Sequence, residues 1–189
     1  DEQSFTTDFL ADRTVDFIRA HQDEPFCFML SLPDPHGPDT VRPPYDSMFD
    51  HQEYQPPRSA GKPDAMLPSW GQKGKGGYDQ SKYYGMVKCI DDNVGKILDV
   101  LRSQDLLDST IVVFTSDHGE GMGEHDYYFR HGALPYNSGS HVPLFFVWAD
   151  DRQRGRRIDL PVELIDLYPT FQEIVGYRAP VELEGQSLR

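Results

Sequence analysis

Residues 78–102 set Met86, Val87, Ile90, Val94, Ile97, Leu98 and Leu101 at helical spacing, and the β-branched run Thr110 to Thr115 (TIVVFT) follows soon after. An apolar stripe of this period predicts a long amphipathic helix. A continuous β-branched run predicts a buried strand. Alternating elements of these two kinds restrict a chain to layered α/β architectures. The remaining sequence keeps the alternation. Phe9, Leu10, Val15, Phe17 and Ile18 against Asp8, Asp12, Arg13 and Arg19 predict a helix over 6–21. Phe26 to Leu32 reads as a fully buried strand, and Pro143 to Trp148 as a third. Asp150 to Arg157 reads as a charged surface turn, and Asp166 as the cap of a short helix that runs through Val175 and stops at Gly176. The expected fold is α/β, a largely parallel or mixed sheet flanked by helices, in one domain over 1–189.

Two long loops leave the carboxyl ends of predicted strands, at 33–77 and 116–141. Open α/β sheets bind their ligands in that position. Loops of such length in a compact domain are commonly functional. Eighteen Lys and Arg against 31 Asp and Glu give a formal charge of −13. That balance argues against a nucleic-acid partner, which needs clustered cations. It leaves carboxylates for a hard cation such as calcium or magnesium, and it serves solubility equally well. Cys27, inside an apolar run, is expected to be a small buried residue, and with Cys89 it defines neither a disulfide framework nor a zinc site. No apolar run reaches the roughly 18 residues of a membrane span. The opening Asp1-Glu2-Gln3-Ser4 does not read as a signal peptide.

Chemistry concentrates in three clusters. Ser116 to His125 (SDHGEGMGEH) follows the TIVVFT strand directly. Asp117 and His118 there are candidate metal ligands, because a strand end holds donors rigidly and the glycines let backbone approach an ion. An isolated Asp-His-Gly is also an ordinary solvated turn. His118 and His125 do not have the spacing of a helical zinc site. The second cluster, Pro33-Asp34-Pro35-His36-Gly37-Pro38, aims His36 between prolines, where it can donate to an anionic ester or protonate a leaving oxygen. The third is Arg130-His131-Gly132 through Tyr136, leading into Val142-Pro143-Leu144. Here His131 can reach the site, and Arg130 can bind an anion through its fork or remain a surface residue. Tyr45, Tyr54, Trp70 and Tyr78 are available as an aromatic wall for a sugar, or as packing.

In this order the segments resemble the sulfatases of the alkaline-phosphatase superfamily. The resemblance rests on PDPHGP, YYGMVKCIDDNVGKILDVL, TIVVFTSDHGEGMGEH, HGALPY with HVPLFFVW, and IDLYPTFQEIVG with LEGQSL. It implies hydrolysis of a sulfate ester at a divalent-metal site, usually calcium with magnesium the alternative. Asp117 and His118 occupy the metal-ligand positions of the family pattern, and His36 and His131 those that contact the sulfate or leaving group. The implied substrate is a sulfated small molecule or glycan, and the implied location is periplasmic, secreted or lysosomal. The family's nucleophile is a formylglycine made from a C/S-x-P/A-x-R motif.

This sequence departs from the family pattern in places. Asn137 and His141 stand where the family often has Glu and Arg. No C/S-x-P/A-x-R match occurs, and neither Asp91-Asp92 nor Asp150-Asp151 follows a first strand as the family's early Asp pair does. The expectation is therefore a later part of a catalytic domain, inactive without a missing N-terminal portion. The alternatives are a phosphomonoester or phosphonate hydrolase of the same superfamily, and a non-catalytic binding domain derived from a sulfatase.

Overall fold

The computed structural model describes all residues except 1, 3, 71–77, 129, 133–135 and 150–154. The chain divides into two compact units, Asp1–Asp151 and Arg152–Arg189. In the first unit, helix α1 spans Thr6–Ala20 and helix α2 spans Gln80–Ser103, both as their periodicity predicts. Asp79 caps α2 by accepting from the Lys82 amide at 3.2 Å. The two helices pack through Val15, Ile18, Val100 and Leu101, with Phe26, Ile97, Leu98 and Val112 against that cluster. Each such side chain taken out of water contributes roughly 1.5–3 kcal/mol.

The strands are shorter and less covered than the sequence suggests. Strand β1, Val112–Thr115, pairs antiparallel with strand β2, Leu144–Val147, with Val112 opposite Val147 and Thr115 opposite Leu144. The α/β class holds, yet the sheet among the described residues has two strands in antiparallel register, not a parallel layer. Neither strand is fully buried, since Phe114, Phe145 and Val147 are exposed. The Phe26–Leu32 run is not a strand. Phe26 reaches the helix core, while Phe28 and Met29 face outward. Cys27 is likewise exposed, not buried. Hydrophobicity says that such a run favours cover; it does not supply a hydrogen-bonding partner.

A buried polar knot ties α1, α2 and the first long loop. Arg42 forks onto Asp8 at 2.6 and 2.8 Å, and Asn93 donates to the same carboxylate at 3.0 Å. Burial pushes the Asp8 carboxyl up, but the bonds from Arg42 and Asn93 outweigh it and hold the group below its ordinary value. Thr7 donates to Asp34, which anchors the loop just before His36.

The first unit also holds the four-residue helix α3, Asn137–Ser140. In the second unit, helix α4 spans Leu167–Val175 and ends at Gly176 in the left-handed region, as expected. The Asp166 side chain does not cap α4. It accepts from the Glu163 and Gln186 amides at 2.9 and 2.8 Å, closing the preceding 3-10 turn. The charged turn predicted at 150–157 lies mostly outside the described residues. No described helix is long and apolar enough to cross a membrane.

Candidate active site

The three histidines singled out by sequence lie on three separate loops and meet. His131 is central: its ring centroid is 4.6 Å from that of His118 and 4.8 Å from that of His36. His118 follows β1, His36 follows the extended 26–32 segment, and His131 lies on the loop that returns toward β2. Two main-chain bonds register these loops. The Gly119 amide donates to the Gly139 carbonyl at 2.8 Å, and the Gly121 amide to the Arg130 carbonyl at 2.6 Å. Gly119 is required by close approach, since a Cβ there would collide with the backbone of Ser138.

Each imidazole is held by its Nδ1. In His36 that nitrogen lies 2.7 Å from the Gly37 carbonyl, and in His118 it lies 2.9 Å from the Gly119 carbonyl. A carbonyl can only accept, so Nδ1 carries the proton and Nε2 becomes the working nitrogen. In His131, Nδ1 faces the Glu120 carboxylate at 3.3 Å. The Glu120 side chain is only 7% exposed.

Asp117 has its side chain 86% exposed, one oxygen accepting from the His118 amide at 2.9 Å and the other 3.8 Å from His118 Nε2. A carboxylate oxygen and an imidazole Nε2 at that separation can share one coordination sphere. The backbone-bonded Nδ1 of His118 is the usual orientation of a ligating histidine. The fit is partial. Calcium takes 6–8 oxygen ligands, and among the described residues no group of three or more His, Cys, Asp or Glu side chains is arranged to hold a metal ion.

His36 and His131 line an open cleft of about 590 Å³ together with Asp39, Tyr78, Asp79 and Arg130. The Arg130 guanidinium is not directed freely into it. It forks onto Asp39, Nη1 to Oδ1 at 2.7 Å and Nη2 to Oδ2, and lies 5.8 Å over the Tyr78 ring. The Asp79 amide also donates to Asp39 at 2.6 Å. Burial raises the Asp39 carboxyl, but Arg130 and that amide more than offset it, leaving it below the usual range. Sequence reasoning passes over Asp39 and Glu120. Asp39 lies 91 residues from its partner, a pairing that no local pattern announces.

Of the candidate aromatic residues, Tyr45 is buried and donates to Asp92 at 2.9 Å, while Tyr54 stacks on Tyr84 at 5.5 Å. Both serve packing. Tyr78 lines the cleft, with its hydroxyl donating to the Met122 carbonyl. Trp70 is exposed beside Tyr127. Asn137 opens α3, and its carbonyl accepts from the His141 amide at 2.9 Å, so the two positions that depart from the family pattern close one turn together.

The chain is similar to known proteins over nearly its whole length. A family model described as Sulfatase matches residues 3–177. The arylsulfatase of Clostridium perfringens is 28% identical over 214 residues, covering 100% of this chain and 42% of that protein. The uncharacterized sulfatase YidJ of Escherichia coli is 30% identical, covering 95% of this chain and 38% of its own length. The chain thus spans about two fifths of these relatives. In fold it resembles the structure of BT4656 in complex with its substrate D-glucosamine-2-N,6-O-disulfate, with a TM-score of 0.75 at 19% identity, covering 97% of this chain and 51% of that one.

Proposed function

The chain belongs to the sulfatase family, within the alkaline-phosphatase superfamily, and from that membership we propose that it supplies part of a pocket in which a sulfate ester is hydrolysed. The observation that carries the reading is the meeting of three loops at His131, whose ring lies against both His36 and His118, with His36 and His131 lining one cleft. His36 and His131 contact the sulfate group and the leaving oxygen. With Nδ1 engaged by the Gly37 carbonyl in His36 and by the Glu120 carboxylate in His131, either ring delivers a proton from Nε2 as the imidazolium; that proton lets the alcohol or phenol depart neutral and leaves a neutral imidazole. Arg130 contributes as a wall of the cleft. The proposed substrate is a sulfated small molecule or sugar, the class that BT4656 takes by name.

Fixed carboxylates outnumber fixed cations among the described residues here. Asp39, Asp79, Asp117 and Glu120 stand against Arg130. An anionic substrate is poorly tolerated in such a field unless a cation joins it. Asp117 and His118 therefore act as two ligands of a divalent cation, calcium in preference to magnesium. Such a cation, when bound, withdraws charge from the sulfate oxygens. The other ligands and the formylglycine nucleophile come from polypeptide beyond these 189 residues, which contain no C/S-x-P/A-x-R match.

The test compares the isolated chain with a protein that adds the upstream catalytic portion, on an aryl sulfate. Turnover is expected only in the longer protein, and turnover by the isolated chain would defeat the proposal. A longer protein that hydrolyses an aryl phosphate or phosphonate in preference to the sulfate would assign it to the phosphorus-ester branch. A longer protein inert to all three esters would make it a binding domain.

A further inference from the structure

Arg130 has the chemistry to grip an anion, yet its fork is already occupied. Asp39 takes both terminal nitrogens, with side chains only 6% and 17% exposed for Asp39 and Arg130. The pair sits beside the working histidines on both sides: Asp39 is three residues after His36, and Arg130 immediately precedes His131. The guanidinium also lies against the backbone next to His36, since a Cβ on Gly37 would come within 2.9 Å of its Nη1. A third bond, from the Asp79 amide, attaches the same carboxylate to the start of α2. One carboxylate therefore joins the His36 loop, the His131 loop and the long helix.

We propose that Asp39 is a positioning residue for the hydrolytic site, holding His36 and His131 at their 4.8 Å separation and, by neutralising Arg130, biasing the cleft toward singly charged sulfate groups over doubly charged phosphate. The inference rests on the sulfatase reading. A bidentate Arg–carboxylate pair is geometrically rigid, and a guanidinium so engaged has little attraction left for a second anion. A sulfate monoester carries one negative charge, which the Nε2–H groups of protonated His36 and His131 and the proposed divalent cation meet together. A phosphate monoester dianion needs a further fixed cation, which Asp39 withholds.

The experiment uses the full-length protein and the variants Asp39→Asn and Arg130→Gln. Aryl sulfate kinetics are read together with calorimetric binding, at about pH 8, of methyl sulfate as the monoanionic probe and methyl phosphate as the dianionic one. Both variants are expected to lose about 10- to 100-fold in kcat with a smaller change in KM, because loosened histidines act in the transition state. Only Asp39→Asn, which releases the guanidinium, should raise phosphate affinity relative to sulfate, by roughly tenfold. Arg130→Gln should leave that ratio unchanged or lower it. An unchanged ratio in Asp39→Asn overturns the inference, as does an equal rise in both variants. Anion binding needs no turnover, so a wild-type protein inert toward aryl sulfates would refute the hydrolysis reading separately, and the anion ratio would still decide the role of Asp39.

Discussion

The His131 ring stacks on that of His118, with centroids 4.6 Å apart and planes 24° from parallel. The residue proposed to touch sulfate is thereby packed on the residue proposed to hold the cation. His131→Ala in the full-length protein is expected to lower kcat/KM for an aryl sulfate about 10²- to 10³-fold, the usual cost of one lost transition-state donor. His36→Ala should behave similarly. Because His36 and His131 touch, the double variant should lose less than the product of the single losses. Full multiplicativity in steady-state kinetics would count against a shared site.

Asp117 and His118 offer a cation two donors where calcium takes six to eight. Calorimetric titration of the isolated chain with calcium should give binding no tighter than about 10⁻⁴ M, and Asp117→Ala should abolish it. In the full-length protein the same substitution should remove metal-dependent turnover. Tight binding that survives Asp117→Ala would place the cation elsewhere.

The Asp8–Arg42 pair is buried and shared with Asn93. Removing one partner of such a pair leaves an uncompensated charge, so Arg42→Ala should cost about 3–5 kcal/mol in urea unfolding. The pH dependence carries the sign. With the folded carboxyl held below its ordinary value of 3.8, its contribution to stability is complete above that value and is lost as pH falls through the lower folded one. In Arg42→Ala the largest lowering cause is gone while Asn93 and Lys96 remain, so the folded carboxyl lies higher than in the parent protein and this group gives up less stability as pH falls. Melts of both proteins between pH 3 and 6 should therefore converge toward the acid end.

Gly119→Ala adds a methyl group against the Ser138 backbone, whose carbonyl carbon would lie 2.9 Å away. Backbone cannot swing aside as a flexible side chain can. The Gly119–Gly139 bond should break, with loss of at least tenfold in kcat/KM. Loss of the Gly119 amide from slow hydrogen exchange should accompany it. A fully active Gly119→Ala protein would show that the loop register is not needed.

The long helix α2 is legible in the sequence because seven apolar side chains at a 3.6-residue period suit neither a strand nor a loop. β1 and β2 are legible as runs, but their antiparallel pairing is not, since hydrophobicity carries no direction. The 26–32 run misleads for a related reason: apolar composition marks a preference for cover, and Phe28 and Met29 remain outside it. His36, His118 and His131 stand out because each sits beside a glycine in one of the two long loops, a setting that the other histidines of the chain lack. Asp39 and Glu120 do not, because an acidic residue in an acidic chain carries no signal until its partner is located.

The Gly119–Gly139 and Gly121–Arg130 bonds join main chain to main chain. Such bonds are indifferent to which side chains the joined residues carry, provided the loops can still approach. Side chains on these loops can therefore differ from the family pattern, as at Asn137 and His141, without disturbing the main-chain bonds that register the histidine loops. The frame that sets these loops is thus carried by backbone, and the side chains of Asn137 and His141 are free of that duty.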